Sequence, residues 1–241
     1  MTRLLPASAR GAVREAAAAL ADGSVVAVPT DTVYGLAVDP TQPEAVARLF
    51  ALKGRPAEVP LPVLVAGPEQ VALVAGQLGP AAQHLADHYW PGPLTLVVPR
   101  RRGFTVDLGG PPAARQTVGV RRPAHPVVVA LCDLLGPLAV TSANLHRAAP
   151  ATTAAEVERE FAGADQPELV LDGGTCDGVP STVVECRGPA SRCLREGALA
   201  WVDLQGTGHG PAGAAAPGDG HGDTGVDGAG SDGGHLWGAA R

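Results

Sequence analysis

Apolar residues fall in two rhythms along this chain. The first is helical. "SARGAVREAAAALADG" predicts a helix over 8–23, with Ser8 as its cap and Gly23 just past its end. "PEAVARLFALKG" (43–54) is amphipathic, with Pro43 suited to the first turn and Pro56 barring continuation. "PEQVALVAG" (68–76), "PAAQHLADHYW" (80–90), "HPVVVALCDLLG" (125–136) and "TTAAEVEREF" (152–161) read as further helices. The second rhythm is the short, bounded apolar run of a buried strand: 24–29, 61–66, 93–99, 116–121, 137–142, 168–172 and 181–186, with "YGLAVD" following the first. These predict an α/β domain of six or seven strands. Strands 93–99 and 116–121, and again 168–172 and 181–186, follow each other without a helix. A mixed sheet is therefore expected, not a doubly wound parallel one.

The rhythm stops near residue 205. From Gly206 the chain holds 13 glycines in 36 residues, four Asp (219, 223, 227, 232) and Arg241. Such a tail buries too little apolar surface to offset chain entropy, so disorder is expected over 205–241 and a catalytic-type domain over 1–204. Gly220 to Gly225 fits G-x-G-x-x-G, but no strand precedes it and no amphipathic helix follows, so it is no dinucleotide fingerprint.

Composition narrows the class. Hydrophobic residues are 45% and aromatics 3%, so the core is built from Val, Leu and Ala. The formal net charge is −6, half of it in the tail, leaving the body close to balanced. No basic leader or membrane-length apolar run opens the chain, and a cytoplasmic protein is expected. Cys132, Cys176, Cys186 and Cys193 have neither C-x-x-C nor zinc spacing and read as free thiols.

Several chemistries drop out. The sole lysine, Lys53, precedes Gly54, which rules out a P-loop, and neither H-E-x-x-H nor G-x-S-x-G occurs. His84 and His88 share a helix spacing but have no third ligand beside them, so a solvated or half-buried pair is the simpler reading. Arg100, Arg101 and Arg102 read as an exposed loop, and "WPGP" (90–93) as a rigid turn holding a buried Trp90. What remains is polar and cationic residues at strand ends. Thr30, Asp31 and Thr32 follow one strand, and Lys53 and Arg55 end a helix. Arg121 and Arg122 end another strand. Thr141, Ser142 and Asn144, then Ser181 and Thr182, then Arg195, complete the set. Strand ends are where α/β proteins bind ligands, and this mixture suits an anionic, hydrogen-bond-rich ligand such as a nucleotide. Taken one at a time, each is more often a turn or a solvated end.

Taken in order, "VPTDTVYGLAVDP", "LKGRPAEVPLPVLVA", "WPGPLTLVV", "TVGVRRPAHPVVVALC", "VTSAN", "LDGG" with "GVPSTVVEC", and "CLREG" resemble the YrdC family, and within it the threonylcarbamoyl-AMP synthases. The family's K-x-R and distant S-x-N are met by Lys53, Arg55, Ser142 and Asn144. The resemblance implies a twisted mixed sheet flanked by helices, with a large electropositive cavity. It implies the condensation of L-threonine, bicarbonate or CO2, and ATP to threonylcarbamoyl-AMP and pyrophosphate. A separate threonylcarbamoyl transferase complex would then modify tRNA. By the same analogy Thr32, Arg121, Ser142 and Ser181 would hold threonine. Lys53, Arg55, Thr117, Asn144 and Arg195 would contact ATP, and Lys53, Arg55 and Arg121 would be catalytic. Mg2+ would ride on the phosphates, with Asp31 either an outer ligand or a turn stabiliser. Carbamoyl-adenylate formation, and binding of tRNA or double-stranded RNA, are the alternatives the resemblance leaves open. The sequence departs from the family's commoner pattern at Val59, at "NLHRAAP" (144–150, keeping a cation at Arg147), at Pro180, and at "LREG".

Overall fold

The apolar runs sort themselves by alternation into two cores. In the computed structural model, which describes residues 2–54, 58–163, 165–188 and 190–206, Val25 and Ala27 join one hydrophobic cluster while Val26 and Val28 join another. A strand whose successive side chains point to opposite faces, with every residue apolar, must be covered on both sides. The tail beyond residue 206, and Arg55 of the K-x-R pair, lie outside the described residues.

In chain order the elements are β1 (Arg3–Pro6), α1 (Ala12–Ala21), β2 (Val26–Val28), β3 (Gly35–Val38), α2 (Pro43–Lys53), β4 (Val63–Leu64), α3 (Pro68–Val74), α4 (Pro80–Tyr89) and β5 (Leu94–Pro99). A 3-10 turn over Pro112–Gln116 leads into β6 (Thr117–Arg121), α5 (Pro126–Leu135), β7 (Leu138–Ser142), α6 (Ala154–Glu160), β8 (Leu169–Asp172), β9 (Thr182–Glu185), β10 (Arg192–Arg195) and α7 (Trp201–Gly206). The strands form one sheet in the order β1-β8-β2-β3-β7-β4-β6-β5-β9-β10. The pairs β1/β8, β2/β8, β4/β6 and β5/β9 are parallel; β2/β3, β3/β7, β4/β7, β5/β6 and β9/β10 are antiparallel. The mixed sheet expected from the missing crossover helices is present, with ten strands in place of six or seven.

Helices α1 and α5 pack on each other over one face. Ala12, Ala16, Ala17 and Leu20 of α1 and Val128, Leu131 and Cys132 of α5 are buried there. On the opposite face α2, α3, α4 and α6 lie against β3, β6, β5 and β8. The first layer is incomplete. Its core draws on β8, β2, β3, β7 and β4, but on no residue of β6, β5 or β9. Over those three strands this face is free to form a cavity, and Leu64 and Val140 mark the border by belonging to both.

Two local expectations are corrected. Helix α1 starts at Ala12 with Gly11 as N-cap in the left-handed region (φ 85°), so Ser8 does not cap it. Arg100 does not splay into solvent. Its Nε donates to the Phe104 carbonyl at 2.7 Å and its guanidinium lies 4.9 Å from the Phe104 ring, stapling a tight loop.

Candidate active site

The cavity, about 480 Å3, opens where several strands end. Alternation supplies its floor. Leu94 and Leu96 of β5 point into the core, so Thr95 between them faces the cavity. Val118 and Val120 of β6 do the same for Arg121, and Val184 of β9 for Val183. The walls come from Thr30 and the Thr32–Gly35 run, from Val59 and Pro60, from Ser142, Asn144 and the Arg147–Pro150 run, and from Pro180, Ser181 and Arg195. Among the described residues three arginines (121, 147 and 195) line it, and no carboxylate does.

Arg121 is the fixed point. It is 5% exposed, and its fork is oriented from three sides. Nε donates to the Gly92 carbonyl at 3.0 Å, Nη1 to Thr32 Oγ1 at 2.9 Å and Nη2 to Asp31 Oδ1 at 2.6 Å. The "WPGP" turn, with its cis Trp90–Pro91 bond, thus presents a carbonyl to the site. Three of five guanidinium hydrogens are committed, so one on each terminal nitrogen is left for a ligand. Thr30 Oγ1 gives its hydrogen to the Val33 carbonyl at 2.6 Å. That makes Thr32 the donor across its 3.0 Å contact with Thr30, and its lone pair takes Arg121.

A second cluster faces it. Arg195 Nη2 donates to the Ser181 carbonyl at 2.8 Å and Ser181 Oγ at 3.3 Å, and Ser181 Oγ lies 2.9 Å from Thr95 Oγ1. Arg195 Nε is buried with no partner among the described residues. Burial lowers the proton affinity of both arginines below the usual range. The Asp31 carboxylate partly restores that of Arg121, whereas the charge of Arg121 lowers that of Arg195 further. Both stay cationic at neutral pH. Of these two neighbouring guanidiniums only that of Arg121 is paired with a carboxylate, and the excess of positive charge favours a bound anion.

Lys53 sits behind this lining. It is 3% exposed, and Nζ reaches the Ser142 carbonyl at 2.6 Å, Ser142 Oγ at 3.2 Å, the Asn144 carbonyl at 2.9 Å and Asn144 Oδ1 at 3.0 Å. The Lys53 carbonyl accepts from His146 N at 2.9 Å. Gly54, left-handed at φ 59°, ends α2 so that the lysine stands on its last turn. Asn144 Nδ2 in turn donates to the carbonyls of Leu145 and Ala148, both at 2.8 Å. Lys53 and Asn144 therefore shape the 143–150 wall.

The cavity gathers Thr32, Arg121, Ser142, Asn144, Ser181 and Arg195, six of the residues singled out from sequence. Thr117 is not brought there. It begins β6, four residues before Arg121, and its hydroxyl donates to the Ala114 carbonyl at 3.2 Å. Thr30 and Thr141, noted at strand ends, also line the cavity, and Thr95 and Arg147 join them without having been singled out for the site. Thr95 carried a usable signal, a lone hydroxyl opposite the core-facing positions of "PLTLVV". His84 and His88 stack on one helix face (centroids 4.2 Å apart), and no group of three metal-capable side chains exists among the described residues.

A mixed α/β sheet with an arginine- and hydroxyl-lined cavity at its strand ends defines the class: an α/β protein whose site is suited to small anionic ligands. The particular family follows: this chain belongs to the Sua5/YciO/YrdC family, whose model, described as telomere recombination, matches residues 18–197. A threonylcarbamoyl-AMP synthase of Pyrococcus abyssi is 38% identical over 195 residues, covering 80% of this chain and 56% of its own length. One from Halorhodospira halophila is 40% identical over 174 residues, covering 67% of this chain and 90% of its own. The structure of P. abyssi Sua5 complexed with L-threonine superposes with a TM-score of 0.75 at 34% identity, covering 86% of this chain and 60% of that one. This chain thus spans little more than half of the P. abyssi relative.

Proposed function

We propose that this chain is an L-threonylcarbamoyladenylate synthase. It joins L-threonine, bicarbonate or CO2, and ATP into threonylcarbamoyl-AMP and pyrophosphate, for N6-threonylcarbamoyladenosine modification of tRNA by a downstream transferase complex. The observation that carries it is the neighbouring guanidiniums of buried Arg121 and half-buried Arg195, flanked by the hydroxyls of Thr32 and Ser181 in a cavity lined by no carboxylate among the described residues. Relatives named threonylcarbamoyl-AMP synthase support the reading.

The reaction joins anions. The threonine amine adds to CO2, forming a C–N bond and releasing a proton. A carbamate oxygen then attacks the α-phosphorus of ATP, and the bond to pyrophosphate breaks. The free N–H groups of Arg121 would hold the threonine carboxylate or carbamate, with Thr32, Ser142 and Ser181 beside it. Lys53, Arg55, Asn144 and Arg195 would serve ATP, Lys53 and Asn144 by setting the wall against which it binds. Held in line, oriented reactants lower the barrier by on the order of 7–11 kcal/mol, and each donor aimed at developing charge adds about 3 kcal/mol.

The described residues do not form a protein-held magnesium site. The lining has no carboxylate, and the unpartnered Asp31 Oδ2 is sealed from solvent. Mg2+ would enter on the phosphates of ATP and neutralise their charge.

The test is pyrophosphate release from ATP with bicarbonate and a panel of amino acids. Release that requires both threonine and bicarbonate is expected. Release with carbamoyl phosphate and no amino acid, or no turnover together with salt-sensitive binding of double-stranded RNA, would overturn the reading.

A further inference from the structure

Among the described residues only one side chain other than glycine adopts a positive φ, and it lines the cavity: Arg147, at 69°. For an L-residue this conformation is strained, because Cβ crowds the following carbonyl. It persists only where the surroundings dictate it. Here they do. His146 N is tied to the Lys53 carbonyl at 2.9 Å, Ala148 N closes on the Leu145 carbonyl at 3.0 Å, and Leu145 N bonds Glu160 Oε1 at 2.8 Å. The Asn144 amide grips the turn from inside through the carbonyls of Leu145 and Ala148. A glycine would fill the same turn without strain. The arginine that sits there is exposed and makes no hydrogen bond or ion pair among the described residues. Among the described residues its charge is thus uncompensated, on the wall of a cavity that no carboxylate of theirs lines.

The other cations have a different character. Arg121 is buried and Arg195 half-buried, and both are already tied to hydroxyls, Arg121 to Thr32 and Arg195 to Ser181. Arg147 stands on the separate 143–150 wall and in solvent. A guanidinium there suits the extended, partly hydrated end of a polyanion. We propose that Arg147 is a further ATP-binding residue that takes the polyphosphate at the cavity mouth, and that the strained turn is what aims it. This rests on the ATP-dependent reading above and extends it to a residue outside the K-x-R and S-x-N sets.

The strain makes the test two-sided. Arg147→Gly relaxes the turn and removes the cation. It is expected to leave the melting temperature equal or higher while raising KM for ATP about tenfold, with KM for threonine within twofold. Arg147→Lys keeps charge and strain, and is expected to recover part of the ATP affinity without a rise in melting temperature. Three results would overturn the inference: an ATP KM within twofold of wild type in Arg147→Gly, KM values for ATP and threonine rising together, or a lowered melting temperature in that variant. Calorimetric titration of the full chain with ATP and with pyrophosphate reads the same contact without turnover. A chain that binds ATP through Arg147 but forms no adenylate would sink the proposed reaction and leave this inference standing.

Discussion

Lys53 gives the clearest case of a residue whose chemistry is set by what surrounds it. An ammonium has three hydrogens, and four oxygens converge on this one from Ser142 and Asn144, 89 and 91 positions along the chain. Sequence resemblance couples Lys53 to Ser142 and Asn144 only as parts of a family pattern; the structure supplies the physical bond between them. A compact, rotatable donor suits converging carbonyls, and a planar fork does not. Lys53→Met, of similar length but apolar, would leave buried carbonyls without a donor. It should cost about 2–4 kcal/mol of stability, read as a fall in the urea midpoint at unchanged m-value, alongside a raised KM for ATP. Lys53→Arg should not rescue either. A melting temperature equal to wild type in Lys53→Met would show that the lysine does not hold the 143–150 wall. The site residues legible in the sequence were those next to turn chemistry at strand ends. Thr95 escaped because one hydroxyl inside "PLTLVV" does not disturb a strand pattern. Thr117 begins β6 outside the cavity lining, a placement that strand boundaries alone cannot reveal.

At the scale of elements, what the sequence concealed was the periphery. The seven apolar runs it predicted are all strands of the sheet, because burial on two faces forces continuous Val, Leu and Ala. Strand β1, "RLLP", is mostly exposed and ends in proline, and β10, "RCLR", has no fully buried residue. Edge strands bury too little to leave a hydrophobic signature, yet β10 carries Arg195 into the site. Its approach depends on a glycine. A Cβ at Gly197 would collide with the Pro180 carbonyl and lie 2.7 Å from the Ser181 backbone, while Gly197 N and Leu199 N both bond Thr182 Oγ1, at 2.9 and 3.0 Å. Gly197→Ala must therefore push the segment after β10 away from Ser181, breaking the contact through which Arg195 grips that residue. The expected result is a loss of at least about tenfold in kcat/KM with the core intact, measured by pyrophosphate release and far-ultraviolet dichroism. Wild-type kinetics in this variant would mean that β10 does not position Arg195.

At the scale of the whole molecule, both cores bury thiols, and the one under α1 and α5 takes in the most completely buried of them. Cys132 is fully buried and its Sγ lies 3.5 Å from the Leu64 carbonyl, joining α5 to β4. Burial pushes its pKa from the ordinary 9.0 up to about 12, because a thiolate there would lose its water. Cys176, Cys186 and Cys193 move in the same direction, and all four cysteines are free thiols. The folded protein therefore holds the Cys132 proton at pH values where the unfolded chain has lost it. Stability is fully present below pH 9 and falls as pH rises towards 12, since the unfolded state binds fewer protons across that window. For Cys132 alone the loss at pH 10.5 is on the order of 2 kcal/mol relative to pH 7.5. Tyr34, also raised to about 12 by burial, responds only above its ordinary value of 10.0, so its share of the loss by pH 10.5 is smaller. Cys132→Ala separates the contributions. It should be less stable than wild type at pH 7.5, by about 1 kcal/mol for the space left behind. It should then lose less stability on going to pH 10.5, so that the two urea unfolding curves converge or cross. Parallel losses in both proteins would place the alkaline sensitivity elsewhere.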